Sequence, residues 1–207
     1  GRLWDYGSGG MGDFGCHFMD LAHWALDPHH PDRIEAKGPP VDDVTTAGWI
    51  ICNYHYPARG AKPPVQMTWY DGGMRPPLLA TLRDKDGKPF QLSGGQLFVG
   101  DGGMILSDYS RNYILPAGGG IEENRPAPSI PASIGHHDEW LKAIRDGGPT
   151  TCNFDYSGAL TETVLLGNVS YRAGKALEWD AAALEAPNCA EAAQYIRKEY
   201  REGWEVA

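Results

Sequence analysis

Two side chains that can exchange protons lie four residues apart near the start of the chain. Asp13 precedes His17 by about one helical turn, a spacing at which the carboxylate can orient the imidazole and favour its protonated form. Imidazole groups titrate near neutral pH, so this pair suits general acid–base catalysis. The alternative interpretation is that Asp13 caps a helix and His17 is a half-buried histidine with a local partner.

The element that must position this pair is a predicted helix from Gly10 to about Leu26. Glycines precede it and Asp27-Pro28 follows it, which is typical of helix ends. At about 100° per residue, Asp20 and Trp24 share one narrow stripe with Asp13 and His17. A second stripe is apolar and is predicted to pack on a sheet; it consists of Phe14, Phe18, Ala22 and Ala25.

The glycines before this helix match the spacing G-x-G-x-x-G over residues 7–12, which is typical of a dinucleotide-binding loop. That loop belongs after an apolar strand in a βαβ unit, with an acidic residue about 20 residues further on. Here only Leu3, Trp4 and Tyr6 precede the glycines, and the following segments indicate an antiparallel sheet. We therefore expect that these glycines allow the backbone to approach another segment closely just before a helix. We expect no cofactor-binding residues in the chain.

Strand signals dominate from Ile34 to about Asp108, where Val, Ile, Thr, Trp and Tyr are frequent. Gly100-Asp101-Gly102-Gly103 predicts a hairpin turn in which Asp101-Gly102 takes positive φ. Asp86-Gly87 predicts a second turn, with Pro89 marking an edge strand. The predicted strands are residues 45–56, 65–70, 97–99 and 104–106, with a further pair at 80–83 and 90–92.

Helical signals return after a Gly- and Pro-rich loop at residues 118–131. Asp155 or Ser157 is the predicted cap of the second of three helices, and Asn188 with Glu191 forms a predicted capping box for the third. The predicted helices are residues 135–145, 156–173 and 188–201, with a short strand at 176–180. Helix, antiparallel strands and then helices is the order of an α+β domain.

Composition and charge exclude several classes of protein. The chain has 207 residues and an ordinary apolar content, which predicts one globular domain. A net charge of −9 with scattered Lys and Arg argues against nucleic acid as a partner, and no apolar run is long enough to cross a membrane. Four cysteines without a C-x-x-C pair predict reduced, buried thiols, and the dispersed histidines give no zinc-type spacing, so no metal is expected.

Several motifs, in the same order along the chain, resemble those of the glucose-fructose oxidoreductase and inositol dehydrogenase (Gfo/Idh/MocA) family. The most specific is the D-x-x-x-H of Asp13 and His17, which resembles the catalytic helix of that family. The other motifs are a segment before this helix, the rest of the helix itself, a hairpin in the middle of the sheet, and two later helices. These segments are Trp4–Tyr6, Phe18–Trp24, Gly100–Ile105, His136–Ile144 and Asn153–Val169.

The resemblance implies an α+β substrate domain with a large, mostly antiparallel sheet and helices on one face. In that family this domain follows an N-terminal Rossmann domain that binds NAD or NADP. No match to the family's E-K-P lysine motif or dinucleotide fingerprint occurs in residues 1–207, so we expect one C-terminal domain without its Rossmann half. The chain begins without Met, and we expect an excised piece or a removed leader.

The resemblance also implies roles for individual residues. His17 would be the acid–base group that takes a proton from a sugar or polyol hydroxyl, and Asp13 would position it. The predicted substrate-binding residues are Trp4, Tyr6, Asp20, His136 and His137; at most one of the two adjacent histidines is expected to reach the pocket. Core packing is the alternative for Trp4 and Tyr6.

Three functions remain open at this point. The first is the substrate domain of an NAD(P)-dependent dehydrogenase, the second an NAD-assisted glycosidase or lyase of the same architecture, and the third a non-catalytic binding or assembly module. A homo-oligomer is expected if a sheet face carrying Trp49, Trp69 and Trp179 is uncovered. We expect a soluble protein in the cytoplasm, or an exported one if a leader is removed; the fragment alone is expected to bind no cofactor.

Overall fold

A computed structural model of the chain describes residues 1–205 and divides into two compact units. The first unit combines Gly1–Leu79 with the residues from Leu160 onward, and the second is Ala80–Ala159. Within the described residues the two units contain four α-helices and two antiparallel sheets. The predicted α+β class is confirmed, with the strands divided between two sheets.

The first unit contains a four-stranded antiparallel sheet in the order β3-β2-β1-β7. Its strands are β1 (Arg33–Lys37), β2 (Ile51–Tyr56), β3 (Val65–Tyr70) and β7 (Leu177–Glu178). Because side chains alternate between faces along a strand, one face is apolar and buried; it includes Ile34, Cys52, Tyr54, Tyr56 and Leu177. The opposite face is polar and includes Arg33, Glu35, Asn53, His55 and Gln66.

Two helices pack on the apolar face of this sheet: α1 (Gly9–Leu26) and α3 (Phe154–Ala173). The Met11 sulfur of α1 lies 3.7 Å from Cys52 Sγ and 3.8 Å from the Tyr54 hydroxyl. Gly167 of α3 approaches the same place, since a Cβ added there would lie 2.9 Å from Cys52 Sγ. The prediction of helices on one sheet face is confirmed for this unit.

The buried face of α1 differs from the predicted apolar stripe. The buried residues are Met11, Gly15, Met19, Ala22 and His23. Phe14 is 52% exposed and Ala25 is exposed, so of the predicted stripe only Ala22 is buried. The reason is a close helix contact: a Cβ on Gly15 would lie 2.5 Å from Val164 Cγ1 of α3. A glycine at this contact turns α1 about its axis relative to the orientation that hydrophobicity alone predicts.

The three tryptophans Trp49, Trp69 and Trp179 do not form the exposed patch that was predicted for an uncovered sheet face. Trp69 is paired with Cys52 and therefore lies on the apolar face that the helices cover. Trp179 is only 8% exposed, and its indole N–H donates to Glu162 Oε1 at 2.7 Å. Trp49 precedes β2 and is half-buried. The homo-oligomer stays a prediction, without these aromatics as its basis.

The second unit contains a three-stranded antiparallel sheet, β4 (Gln96–Gly100), β5 (Gly103–Ser107) and β6 (Asn112–Pro116). The β4–β5 hairpin lies where the sequence predicts it. Its positive φ of 139° is at Gly103, not in the Asp101-Gly102 pair. Gly103 is required there because a Cβ would collide with the Leu115 carbonyl of β6, a strand that the sequence analysis did not predict.

The turn at Asp86-Gly87 is present, with Gly87 at φ 74° and the Asp84 N–H donating to Lys88 O at 2.8 Å. The predicted strands on either side of it are wrong. Residues 77–81 form a 3₁₀ helix, and only a single bridge between Arg83 and Pro89 remains. Pro89 lacks the N–H that a longer ladder needs.

The helices at the end of the chain agree with prediction except in their caps and in the last one. Helix α2 (His136–Asp146) ends at Gly147, as predicted. Helix α3 begins earlier than predicted, since Asn153 Oδ1 accepts the Tyr156 N–H at 3.0 Å; Asp155 and Ser157 lie inside the helix and do not cap it.

The third predicted helix is reduced to a 3₁₀ turn and α4 (Ala193–Ile196). Asn188 does not form the predicted capping box. Its amide donates to Ala176 O at 3.0 Å and accepts the Glu178 N–H at 2.9 Å, so it fixes β7. Residues 197–205 are exposed, so no apolar contact extends the helix.

The buried His23 of α1 gives a prediction for acid stability. Its Nε2 lies 3.1 Å from the Tyr56 hydroxyl, and burial lowers the pKa of His23 from 6.5 to about 4. Between these values the unfolded chain binds a proton that the folded chain does not. The free energy of unfolding should therefore fall by up to about 1.4 kcal/mol per pH unit below pH 6.5, and His23 should contribute no pH dependence above it.

Urea unfolding at a series of pH values measures this effect. His23→Gln keeps a polar partner for Tyr56 but does not titrate, so we expect a flatter pH profile in that variant. His29→Asn, at an exposed histidine, is the control and should keep the wild-type slope. Equal slopes in wild type and His23→Gln would contradict the prediction.

Candidate functional site

Helix α1, which carries Asp13 and His17, is held at both ends by side chains of the same unit. At its N-terminus the Asn168 amide of α3 donates to Ser8 O at 2.8 Å. At its C-terminus the Arg59 guanidinium donates to Asp27 O at 2.9 Å and Leu26 O at 3.2 Å, which satisfies carbonyls that the helix leaves unpaired. The position of α1 is therefore fixed by its ends as well as by its buried face.

The face opposite the buried one carries the predicted catalytic pair. Asp13 and His17 are exposed, Trp24 is 56% exposed, and Asp20 is half-buried. The Phe14 ring lies 6.2 Å from the His17 ring, centroid to centroid. Asp13 is in the interior of a helix that begins at Gly9, so it is not the N-cap, and His17 is not half-buried. The structure thus leaves both groups accessible to a ligand.

Trp4 and Tyr6, predicted to bind substrate, lie just before α1. The Trp4 indole N–H donates to Asp42 O at 2.9 Å, and the Arg172 guanidinium lies 4.7 Å from the Trp4 ring centroid. Trp4 is therefore already in contact with two residues of this chain. Tyr6 is 84% exposed and available for contact.

The two remaining predicted residues, His136 and His137, belong to the second unit. They are the first two residues of α2, both are exposed, and their ring centroids lie 4.2 Å apart. Their participation in one site with His17 stays a prediction.

The glycine run at residues 7–12 does not form a pyrophosphate cradle. A Cβ on Gly10 would collide with the Asp71 carboxylate, and one on Gly9 would lie 2.9 Å from Thr46 Oγ1. The space before the helix is therefore filled by this chain's own side chains, and Asp71 brings a negative charge to the place where a phosphate would bind. The residues present do not fit a dinucleotide.

A cluster around Glu162 was not predicted from the sequence. Glu162 Oε1 accepts hydrogen bonds from His30 Nδ1 at 2.9 Å and from the indole of Trp179. His29, with φ 60°, and His30 lie between Pro28 and Pro31, and both prolines are buried. The cluster therefore fixes the segment that leaves α1. Its members are far apart in sequence, and no local pattern indicates their contact.

Two surface depressions are present elsewhere. One, of about 230 Å³, lies on the polar face of the first sheet and is lined by Arg33, Glu35, Asn53, Tyr54, His55 and Gln66. The other, of about 340 Å³, lies on the second sheet around residues 100–105 and 114–116. Neither is lined by a predicted site residue.

The cysteines differ in their burial, and no group of potential metal ligands converges in the part of the chain that is described. All four cysteines are free; Cys52 and Cys189 are buried as predicted, whereas Cys152 is exposed. Burial raises the pKa of Cys52 to about 12, so it is not a nucleophile near neutral pH. No three His, Cys, Asp or Glu side chains of residues 1–205 converge as metal ligands. No helix within that range has the length and apolar character needed to cross a membrane.

Comparison with known proteins gives a similarity to solved structures. No protein-family model and no curated protein matches the chain. Among solved structures, the chain is similar to the crystal structure of an oxidoreductase from Agrobacterium radiobacter in complex with NAD+, L-tartaric acid and magnesium. The TM-score is 0.43 at 14% sequence identity, and the match covers 80% of this chain and 48% of that one. The chain thus spans about half the length of that oxidoreductase.

Proposed function

We propose that this chain is the substrate-binding part of an NAD(P)-dependent oxidoreductase that acts on a hydroxyl group of a sugar or polyol. The proposal combines the resemblance of its D-x-x-x-H segment to the Gfo/Idh/MocA family with one structural observation. Helix α1 is held at both ends and along one face, while Asp13 and His17 lie accessible on the opposite face. A proton-transfer group must be positioned firmly and still reach its substrate, and this arrangement meets both requirements.

The part of the reaction assigned to this chain is proton transfer and substrate positioning. His17 would accept the hydroxyl proton of the substrate, and Asp13, one turn before it, would orient the imidazole. Tyr6 and Asp20 would contact the substrate's ring face and hydroxyls. The nicotinamide supplies the hydride acceptor in enzymes of this class, and the glycine run at residues 7–12 does not fit it. An additional domain would therefore have to bind the cofactor and exclude water from the exposed face of α1.

The direct test uses the intact protein with NAD or NADP and a panel of sugars, sugar acids and polyols. We expect reduced nicotinamide to form with at least one of them. A substrate with deuterium at the oxidised carbon should transfer the label to the cofactor. No turnover with any substrate, in a preparation shown to bind the cofactor, would support a binding or assembly module instead.

The glycosidase or lyase alternative has the same architecture but forms different products. It predicts cleavage of a glycosidic bond without net formation of reduced cofactor, because the transient oxidation is reversed. Product analysis with glycosides in the same assay separates the two reactions.

The Asp13→Asn variant tests the assigned role of Asp13. We expect kcat to fall by about tenfold, equivalent to roughly 1.4 kcal/mol, because the amide cannot favour the imidazolium that forms on proton transfer. An unchanged kcat would limit Asp13 to solvation of the helix surface.

A further inference from the structure

Arg172, in the last turn of α3, has a guanidinium that lies close to two aromatic rings. Its Cζ is 4.7 Å from the Trp4 ring centroid and 4.2 Å from the Tyr195 ring centroid. The hydrogen bond from the Trp4 indole to Asp42 O fixes one of these rings. Both rings attract the cation, but neither supplies the oxygen or nitrogen acceptor that its N–H groups need.

No acceptor within residues 1–205 satisfies those N–H groups. Arg172 Nε is buried and has no hydrogen-bond partner. In the same range, none of the ion pairs with a carboxylate within 4.0 Å involves Arg172. A buried guanidinium N–H without a hydrogen-bond partner is unusual because buried polar groups are normally hydrogen-bonded.

Arg59 provides a comparison within the same unit. It is also half-buried, but it donates to three backbone carbonyls, those of Asp27, Pro57 and Leu26. The fold can thus supply acceptors to an arginine whose role is structural. The absence of such acceptors at Arg172, among the described residues, indicates that its partner comes from outside this part of the chain.

We propose that Arg172 binds a carboxylate or phosphate group of a small molecule at the edge of the Trp4–Tyr195 pair. Guanidinium binds both groups through two parallel N–H···O bonds. The two rings hold the guanidinium in place beforehand, so less side-chain freedom is lost on binding. The uncompensated charge favours an anion over a neutral sugar. This inference does not rest on the proposed oxidoreductase function.

Ligand titrations of the intact protein at constant ionic strength test this proposal. Inorganic phosphate and gluconate are the two oxyanion probes, and glucose is the neutral control. We expect saturable binding of at least one oxyanion by calorimetry and a rise in Tm of about 3–5 °C at ten times its Kd, with no change for glucose. Preference for phosphate or for gluconate then identifies the head group.

Three variants assign the binding to Arg172. Arg172→Gln should abolish binding, and Arg172→Lys, which keeps the charge but lacks the planar fork, should weaken it at least tenfold. Arg33→Gln removes the same charge from the exposed sheet face and should leave the affinity unchanged. Equal losses in Arg172→Gln and Arg33→Gln would overturn the proposal in favour of a general charge effect.

The wild-type titration provides a test that does not depend on how the variants fold. Absence of saturable binding of both oxyanions would overturn the proposal and leave Arg172 as a structural contact between Trp4 and Tyr195. In that case Tyr195→Leu should lower Tm by the same amount with and without oxyanion. If the proposal holds, Tyr195→Leu should instead weaken oxyanion binding.

Discussion

Under the proposed function, replacing His17 by alanine in the intact protein should lower kcat/KM by about 10²–10⁴, the usual contribution of a general acid–base group. The loss should appear mainly in kcat, because the imidazole acts on the proton that moves in the transition state. The Tm should change little, since His17 is exposed on the face of α1 opposite to the core. Steady-state kinetics with the substrate found in the panel measures the effect.

A matched histidine variant makes the result specific. His29→Asn removes another exposed imidazole and suits the left-handed backbone at φ 60°, where asparagine is tolerated. It should retain wild-type kinetics. Wild-type turnover in His17→Ala would remove this residue from the mechanism, and a large loss in both variants would indicate a general effect of surface charge or folding.

The second large expected effect is on stability and concerns two glycines of helix α3, Gly158 and Gly167. Gly167→Ala should destabilise the protein by about 1–3 kcal/mol, because the new methyl group would collide with the Tyr54 hydroxyl and lie 2.9 Å from Cys52 Sγ. Gly158→Ala meets no atom within 4 Å and should stabilise by about 0.5–1 kcal/mol through lower backbone entropy in the unfolded chain.

Thermal or urea unfolding of the two variants beside wild type measures this difference. The substitution and the helix are the same in both, so helix propensity cancels and the remaining difference reports the contact with the sheet. Two variants that are stabilised equally would show that α3 does not approach the sheet as closely as the structure indicates.

The sequence predicts elements well where their signal is local. The 18-residue span of α1 and the position of the β4–β5 hairpin follow from apolar spacing and from glycine and aspartate at the turns. Residues 188–201 show the limit of this reasoning. Asn188 has the residue type of a helix cap, but its side chain bonds to β7, and only the tertiary structure shows this.

The orientation of α1 was predicted less well than its length. A hydrophobicity pattern counts Phe14 as a core residue and gives Gly15 no weight, whereas the structure exposes Phe14 and places Gly15 against Val164. Close contact between helices depends on the side chains of both partners at the contact, and one helix alone does not reveal its partner. The placement of Asp13 and His17 on the exposed stripe follows from their spacing; the fixing of α1 by Arg59 and Asn168 does not, since both lie more than 30 residues away from the groups that they contact.

The discontinuity of the first unit has a consequence for its synthesis on the ribosome. Its first three strands and α1 lie before Leu79, but β7 and the part of α3 from Leu160 onward, which complete its core, come only after the 80 residues of the second unit. At about 5–20 residues per second, roughly 5–20 s separate the synthesis of Tyr70 from that of Leu177. During this interval the apolar face of β1–β3 lacks its main cover. Nascent chains of this protein should therefore bind chaperones that recognise exposed apolar strands, and they should release them only after residue 177 has left the exit tunnel.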